Sequence, residues 1–590
     1  MLRKFLLAFA GSLALAGCTP APQAVPVATP RGGVAAANDP RAAVIGEQIM
    51  AQGGNATDAA IAMMLALAVL EPQSTGLGGG GFLMLGSPDG EVEMYDGRET
   101  APAAADGDWF LDAEGSPRDR NAAVLSGLSI GVPGQVALAA EAHARHGNLL
   151  WADLFAPAIA LARNGFPVTP RLSGSLDSFP QRAARDANGR AMFYGTDGKA
   201  PAAGEVVRLP ALAETLEMVA SEGPKSFYAG PFAEGMALKI ALDTPTNAAM
   251  TVDDITDYRS IVRDPACTLY RLYRVCTVGP PSSGGYAVLA ILKQLEPFDL
   301  AALGLHNAQT WHLFVEAQRL AFADREYFIG DPDFVDVPLE GLLDDDYLAS
   351  RAALIDPDAT IAQPLPGEPA GATQKLAIGD SWPEQGTTHF VAVDNLGNMA
   401  SFTATVEGAF GSGLVHGGFY LNNELTDFDF TPEVDGKPVA NRVEGGKRPA
   451  SSMTPTLVYD PDGAPFFTVG AAGGGLIPAQ TARAIIGVID FGLPLEQALG
   501  LPFVMGVGPG AVLVEQGTWM EELAPEFQAL GHPRVIPFGQ LLRTTGALHT
   551  AGGWQARHDP RLDDLVRIPE VVEQEAATEA GFDEGDTLTP

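Results

Sequence analysis

Positive charge is scarce in this chain. Lys and Arg number 36 against 72 Asp and Glu, a formal net charge of −36. A field of that sign repels nucleic-acid phosphates and anionic headgroups, which argues against nucleic-acid binding. Cysteine is scarcer still. Three residues cannot build a disulfide scaffold, and without a CxxC pair they do not suggest zinc or redox chemistry. Only 18% of residues are charged while 46% are hydrophobic, the reverse of a disordered composition. No repeat of roughly 20–50 residues is visible, so nothing points to a solenoid. Turn residues, by contrast, are plentiful: 68 Gly and 46 Pro exclude a coiled coil. At a prior of roughly 150 residues per domain, 590 residues would divide into about four domains.

Long apolar runs are also missing, with one short exception. Arg3 and Lys4 precede an apolar stretch from Phe5 to Ala16. It is shorter than the roughly 20 residues a spanning helix needs and reads as an export signal. It ends in Leu15-Ala16-Gly17-Cys18, which resembles a bacterial lipobox, where the leader is cut before a lipidated cysteine. The expectation is a signal peptide over 1–17, a lipidated Cys18, and attachment on the periplasmic side of a membrane. Thr19, in place of an aspartate, fits the outer membrane. The plainer alternative is a cleaved signal with an incidental Cys18. Residues 18–36, rich in Pro and Ala, read as a tether. Residues 563–590 carry nine carboxylates and one arginine, and read as a disordered acidic tail.

Cys267 and Cys276 lie in CTLYRLYRVC. Strand alternation with a two-residue turn at Arg271-Leu272 would set them opposite each other, and an exported compartment permits oxidation. Arg-Leu is a poor sequence for such a turn, so a disulfide and two reduced buried thiols both stand.

Residues 40–53 and 57–70 read as helices, the second capped at Asn55 or Thr57 and apolar nearly all round. Further helices are expected at 151–164, 210–221, 285–295, 307–325, 478–499 and 520–530. Gly76, Gly78 and Gly81 satisfy GxGxxG, but a helix precedes the glycines and a strand-like segment follows, the wrong order for a dinucleotide site. Ser129 sits in GxSxG, yet Val132-Pro133-Gly134 blocks the helix a nucleophile elbow needs. His143 and His146 form HxxH without the glutamate of a zinc protease and are expected on a solvated face. After residue 385, β-type alternation dominates in THFVAVD, MASFTAT, PTLVYD and FFTVGA.

Residues 388–394 and 398–405 read as a hairpin around Asn395-Leu396-Gly397, with glycine at the left-handed position. If Asp394 pairs with Asn398, constant-sum register sets Thr387 opposite Thr405. On geometry alone this is an ordinary Thr–Thr cross-strand pair.

A series of ordered motifs gives that pair a second meaning. GGNATDAA, LGGGGFLML, DGRETAP, GVPG, PPSSGG, ADREYFIGDPDF, TTHFVAVDNLGN, FGSG, LNNELTDF, KRPASSMTPT and AAGGG occur in that order. Over residues 37–562 the chain resembles γ-glutamyltranspeptidases, which are N-terminal-nucleophile hydrolases. The resemblance implies an α+β fold, a four-layer αββα sandwich built from two chains after autocleavage between Gly386 and Thr387. The large chain would be 37–386, and the small catalytic chain 387–562 with the acidic tail beyond it. Thr387 would be the nucleophile, its freed α-amine serving as general base near its ordinary pKa of roughly 7.7–8.0. Thr405 would orient it.

Other roles follow by motif. Arg98 would clamp a substrate α-carboxylate, with Ser451 and Ser452 in support. Glu424 and Asp427 would accept from the α-ammonium. The N–H groups of Gly473 and Gly474 would form the oxyanion hole, where one donor is worth about 3 kcal/mol. The chain departs from the family pattern at Glu407, where asparagine is frequent, and at Gly475, where serine is frequent. Glu407 with Glu424 and Asp427 would crowd three carboxylates. The substrate-covering lid within 427–447 reads as short. The implied activity is γ-glutamyl transfer or glutathione hydrolysis, with glutathione-like donors, amino acid or peptide acceptors, and no metal or organic cofactor. A cephalosporin-acylase-like amidase and a silent γ-glutamyl-peptide-binding lipoprotein are the alternatives.

Overall fold

The computed structural model describes residues 32–379, 386–508, 510–539 and 541–569. The signal peptide, Cys18 and most of the acidic tail lie outside them.

Twelve strands form two sheets. In chain order they are β1 Gly33–Ala37, β2 Gly80–Gly86, β3 Val92–Gly97, β4 Ile261–Arg263, β5 Ala266–Tyr270, β6 Tyr273–Thr277, β7 Thr388–Asp394, β8 Met399–Thr405, β9 Thr456–Tyr459, β10 Pro465–Ala472, β11 Arg543–Thr550 and β12 Gly553–His558. One sheet runs β1-β7-β8-β2-β3-β4 and the other β12-β11-β10-β9-β6-β5. The period of two sorts each strand's side chains between faces. Val391 and Val393 of β7 point into the layer between the sheets, where Phe82, Met84, Leu457, Tyr459 and Ala471 meet them. Phe390 and Ala392, the intervening residues, face an outer helical layer. That layer includes α1 Pro40–Ala51, α2 Ala56–Leu70 and α3 Gln135–His146. Against the second sheet pack α4 Ser283–Leu295, α5 Ala308–Phe328 and α6 Ile477–Ile489. The expected αββα sandwich is present. Its strands interleave across residue 386: β7 and β8 sit between β1 and β2, so the expected cleavage position is no domain boundary.

Helix α2 is buried along its whole length, and Asn55 and Asp58 close a reciprocal capping box at its start. Several expected limits shift. The tether was read to residue 36, but residues 33–37 form β1 and pair with β7, because a small apolar run can complete the open edge of that sheet. The tail was read as disordered from residue 563, but Asp563–Val566 is a helical turn with Val566 buried. The helix expected at 478–499 breaks after Ile489 at Gly492-Leu493-Pro494, and 520–530 is two short helices, Trp519–Glu522 and Ala524–Ala529. Among the described residues no helix is long and apolar enough to cross a membrane.

Cys267 and Cys276 are disulfide-bonded directly across β5 and β6. The turn takes positive φ at Arg271 (48°) and Leu272 (73°), unfavourable for both residues. The Arg271 side chain offsets this by donating to the carbonyls of Glu296 (2.6 Å) and Phe298 (2.5 Å) and to Asp490 (3.2 Å).

Candidate active site

The β7–β8 register is the expected one, with Ala404 opposite Thr388 and a constant sum along the ladder. Thr387 lies one residue before β7 and faces Thr405 at the end of β8. The Thr387 hydroxyl donates to Thr405 Oγ1 at 3.1 Å, and the Glu407 backbone N–H donates to the same oxygen at 2.8 Å. Both threonines are buried. Thr405 thus fixes which way the Thr387 hydroxyl points.

The backbone at Thr387 is strained. Thr387 has φ of 76°, a left-handed conformation that a β-branched residue rarely adopts, at a cost on the order of 1–3 kcal/mol. Gly386 is wedged against the turn after β8: a Cβ there would lie 1.6 Å from the Glu407 carbonyl oxygen. Only glycine fits. The Gly386 carbonyl accepts from Arg543 Nη2 at 2.7 Å.

His389, two residues after Thr387, plays no acid–base part in this geometry. Its ring is fully buried, bonded to Thr403 Oγ1 at 2.8 Å and packed against Gly470 of the opposing sheet. Burial lowers its pKa to about 3, so it stays neutral. Thr388 is held by Asn38 (3.1 Å), which in turn accepts from Thr545 (3.0 Å).

The residues expected to hold an amino acid come together but pair with one another. Arg98, 1% exposed, forms ion pairs with Glu424 and with Asp427 (2.6 Å) and donates to the carbonyls of Pro449 (3.2 Å) and Ala450 (3.0 Å). The motif reading set Arg98 against a substrate carboxylate and the acids against a substrate ammonium. They face each other instead, and the buried charges are paired within the fold. The crowding at Glu407, Glu424 and Asp427 is as expected, with one carboxylate oxygen of each within 4.8 Å of the others. The Arg98 guanidinium supplies the cation that such a set requires. A second cluster, His312, Glu316 and His532, is closed by its own bonds: the histidines meet at 2.8 Å, and Glu316 accepts from Arg319, Thr360 and the Ile361 N–H.

Ser451 Oγ accepts from the Met453 N–H at 3.1 Å, and its carbonyl is gripped by Ser283 at the start of α4. Ser452 Oγ accepts from Arg325 Nη2 at 3.4 Å. Both serines, Arg325, Asn441 and Asp427 line one small cleft. Arg325 belongs to the motif ADREYFIGDPDF, but no local pattern marked it as part of the site.

Gly473 and Gly474 follow β10 with φ of 128° and 57°, conformations that require glycine, and open the turn that leads into α6. N–H groups at such a start have no acceptor within the helix and are available to an oxyanion. Gln480 of α6 donates to the Ala472 carbonyl at 3.0 Å and accepts from the Arg543 N–H at 3.0 Å, tying this corner to β11.

The set-aside motifs have structural roles. The Ser129 hydroxyl donates to the carbonyls of Val124 and Ser126, both at 2.9 Å. In the glycine run, a Cβ on Gly79 would lie 1.9 Å from the Thr405 carbonyl, so the glycines let the chain pass against Thr405. His146 is exposed as expected and meets Glu93 at 2.8 Å, whereas His143 is half-buried and bonds the Leu149 carbonyl at 2.9 Å. The lid region is a short exposed hairpin, Glu433–Val434 with Lys437–Pro438.

Comparison with known proteins agrees with this geometry. The family model of γ-glutamyltranspeptidase matches residues 42–567. A glutathione hydrolase proenzyme of Bacillus subtilis (strain 168) is 35% identical over 515 residues, covering 85% of each chain. An acylase proenzyme, ACY 1 of Pseudomonas sp. (strain V22), is 32% identical over 548 residues, covering 90% of this chain and 94% of its own. The crystal structure of a cephalosporin acylase from Bacillus halodurans superposes with a TM-score of 0.79 at 27% identity, covering 92% of this chain and 97% of that one. With strained backbone at Thr387, a second threonine hydrogen-bonded to it, and this match along nearly its whole length, the chain belongs to the γ-glutamyltranspeptidase family.

Proposed function

We propose that this chain is a precursor that cuts itself before Thr387 and then transfers γ-glutamyl groups from glutathione-like amides to water or to an amino acid or peptide amine. The observation that carries the reading is the Thr387–Thr405 hydroxyl pair at 3.1 Å, at a threonine held in a strained left-handed backbone conformation.

In the first stage the Thr387 hydroxyl adds to the Gly386 carbonyl and the acyl group moves from nitrogen to oxygen. Water then hydrolyses the ester. Cleavage frees Thr387 of the φ imposed by Gly386 and exposes its α-amine. In the second stage that amine, with a pKa of roughly 7.7–8.0, takes the hydroxyl proton as the oxygen attacks the substrate amide. The N–H groups of Gly473 and Gly474 face the tetrahedral oxyanion. The leaving amine departs, and water or an acceptor amine resolves the acyl-enzyme. Arg98, Ser451 and Ser452 hold the α-carboxylate, and Glu424, Asp427 and Glu407 the α-ammonium. Binding exchanges the Arg98 pairs for pairs with the ligand's two charges, which conserves the number of buried ion pairs.

The test is intact mass and N-terminal sequencing of purified protein and of Thr387→Ala. Two chains in the parent, one beginning at Thr387, and one chain in the variant are expected. Two fragments in both would remove Thr387 from the cleavage.

A second reading, an amidase acting on desamino acyl groups, is favoured by the likeness to acylases. Faster turnover of a glutaryl than of a γ-glutamyl amide would select it. The leader through Cys18 supports export and lipid attachment on the periplasmic side, outside the described residues. Cys18→Ala is expected to move the protein from the membrane fraction to the soluble one.

A further inference from the structure

We infer that Arg543 is a catalytic residue of the self-cleavage: its guanidinium is the donor that stabilises the oxyanion formed on the Gly386 carbonyl. The inference rests on the reading of Thr387 as the self-cleaving residue, and it assigns a group that neither the threonine pair nor the glycine oxyanion hole supplies.

Arg543 opens β11 and is 157 residues from Gly386 in sequence, yet its Nη2 lies 2.7 Å from the Gly386 oxygen. It is held there. Its backbone pairs with Ala472 at the end of β10, and Gln480 bridges the two by accepting from the Arg543 N–H and donating to the Ala472 carbonyl. The carbonyl is equally constrained, because Gly386 is wedged against the Glu407 backbone. Donor and acceptor are therefore preorganised before any charge develops.

The chemistry makes this oxygen the one that needs a donor. When Thr387 Oγ bonds to the Gly386 carbon, the carbonyl electron pair moves onto that oxygen. The tetrahedral centre collapses by breaking the bond to the Thr387 nitrogen, which takes the proton that left Oγ, and an ester remains. Water then adds to the ester carbon. Oγ leaves with one water proton, and Gly386 ends as a carboxylic acid, which ionises. The Gly386 oxygen is neutral in the amide and anionic in both intermediates and in the product. A fixed cation bonded to it favours both tetrahedral intermediates and the carboxylate product over the amide and the ester, in which that oxygen is neutral.

Burial strengthens the effect, since the field of a charge is less screened away from water. Arg543 is 6% exposed. Burial, with repulsion from Arg171 on the helix Pro170–Ser178, lowers its pKa to about 9, opposed by Glu71. The side chain remains a cation at neutral pH.

The experiment follows the conversion of full-length precursor to two chains by intact mass, for wild type, Thr387→Ala, Arg543→Gln and Arg543→Lys. Arg543→Gln is expected to slow cleavage by roughly 10²–10³ while its melting temperature stays with that of uncut Thr387→Ala. Arg543→Lys, which keeps the charge, is expected to recover part of the rate. Cleavage of Arg543→Gln within about threefold of wild type overturns the assignment, whatever its melting temperature. If Arg543→Gln does not fold, the crystal structure of the Thr387→Ala precursor decides. An Arg543 nitrogen within about 3.3 Å of the Gly386 oxygen supports the proposal, and one beyond about 4 Å overturns it. A wild-type chain that stays whole, or Thr387→Ala that is still cut, sinks the underlying reading of Thr387 instead. Wild type cut and Thr387→Ala whole, with Arg543→Gln at normal speed, sinks the role of Arg543 alone.

Discussion

Replacing Thr405 by valine tests the orienting role with little change of shape. The β-branch and volume remain, and one hydroxyl becomes a methyl. That oxygen accepts two hydrogen bonds, from the Thr387 hydroxyl at 3.1 Å and from the Glu407 N–H at 2.8 Å. The second loss falls on stability, because a buried N–H deprived of an acceptor costs about 1–3 kcal/mol. The first falls on rate: a nucleophile freed from its near-attack geometry by about 1 Å loses on the order of 10²-fold. Thr405→Val is therefore expected to self-cleave roughly 10² times more slowly than wild type. Thr405→Ser keeps the oxygen and loses only the methyl that stiffens χ1, so it is expected to stay within about threefold. Intact-mass time courses give the rates. Urea unfolding of Thr387→Ala with and without Thr405→Val isolates the stability part, since both proteins are then uncut chains. Valine cleaving as fast as serine would refute the orienting role, because the two differ in whether the acceptor oxygen is present.

Gly386→Ala is expected to leave mostly precursor, slowed roughly tenfold or more, since its Cβ would meet the Glu407 carbonyl at 1.6 Å; a gel of freshly purified protein reads this directly. Glu99 is fully buried beside the clamp, and burial pushes its pKa from 4.5 up to about 8. The folded chain thus holds a proton that the unfolded chain releases near 4.5, and the stability this gives is full below that pH and lost as pH rises to about 8. Glu99→Gln is expected to flatten the fall in unfolding free energy across that window, by a few kcal/mol on the order of 1.4 per pKa unit; an unchanged slope would remove Glu99 as the source. Replacing both Cys267 and Cys276 by serine is expected to cost about 2–3 kcal/mol of stability from loop entropy and to leave the cleavage rate unchanged, as melting and intact-mass measurements would show.

Binding and cleavage place different demands on the same corner. The Arg98, Glu424 and Asp427 charges satisfy one another within the fold. A substrate carrying both α-carboxylate and α-ammonium can take over both halves of the set. A desamino substrate can take over only the Arg98 half and leaves the acids unpaired. On the proposed function, charge pairing at Arg98, Glu424 and Asp427 is what would discriminate between γ-glutamyl and other acyl groups.

Much of the nucleophile's setting was legible in the sequence. Strand alternation and a glycine at the left-handed position of a three-residue loop determine register by local rules, and a constant sum then carries Thr387 to Thr405. The capped, all-apolar α2 and the absence of a helix after Ser129 were equally local. The tertiary structure decided the rest. It closed the Cys267–Cys276 pair through Arg271 bonds that reach another element, and it drew residues 33–36 into β1. It also turned Arg98 toward Glu424 and Asp427, and set Arg543 on the Gly386 oxygen. Those contacts depend on strand order and on how two sheets close face to face, and neither is encoded in periodicity along the chain. Local patterning determined the hairpin that sets Thr387 against Thr405, and the closure of the sandwich determined the charges that surround the pair.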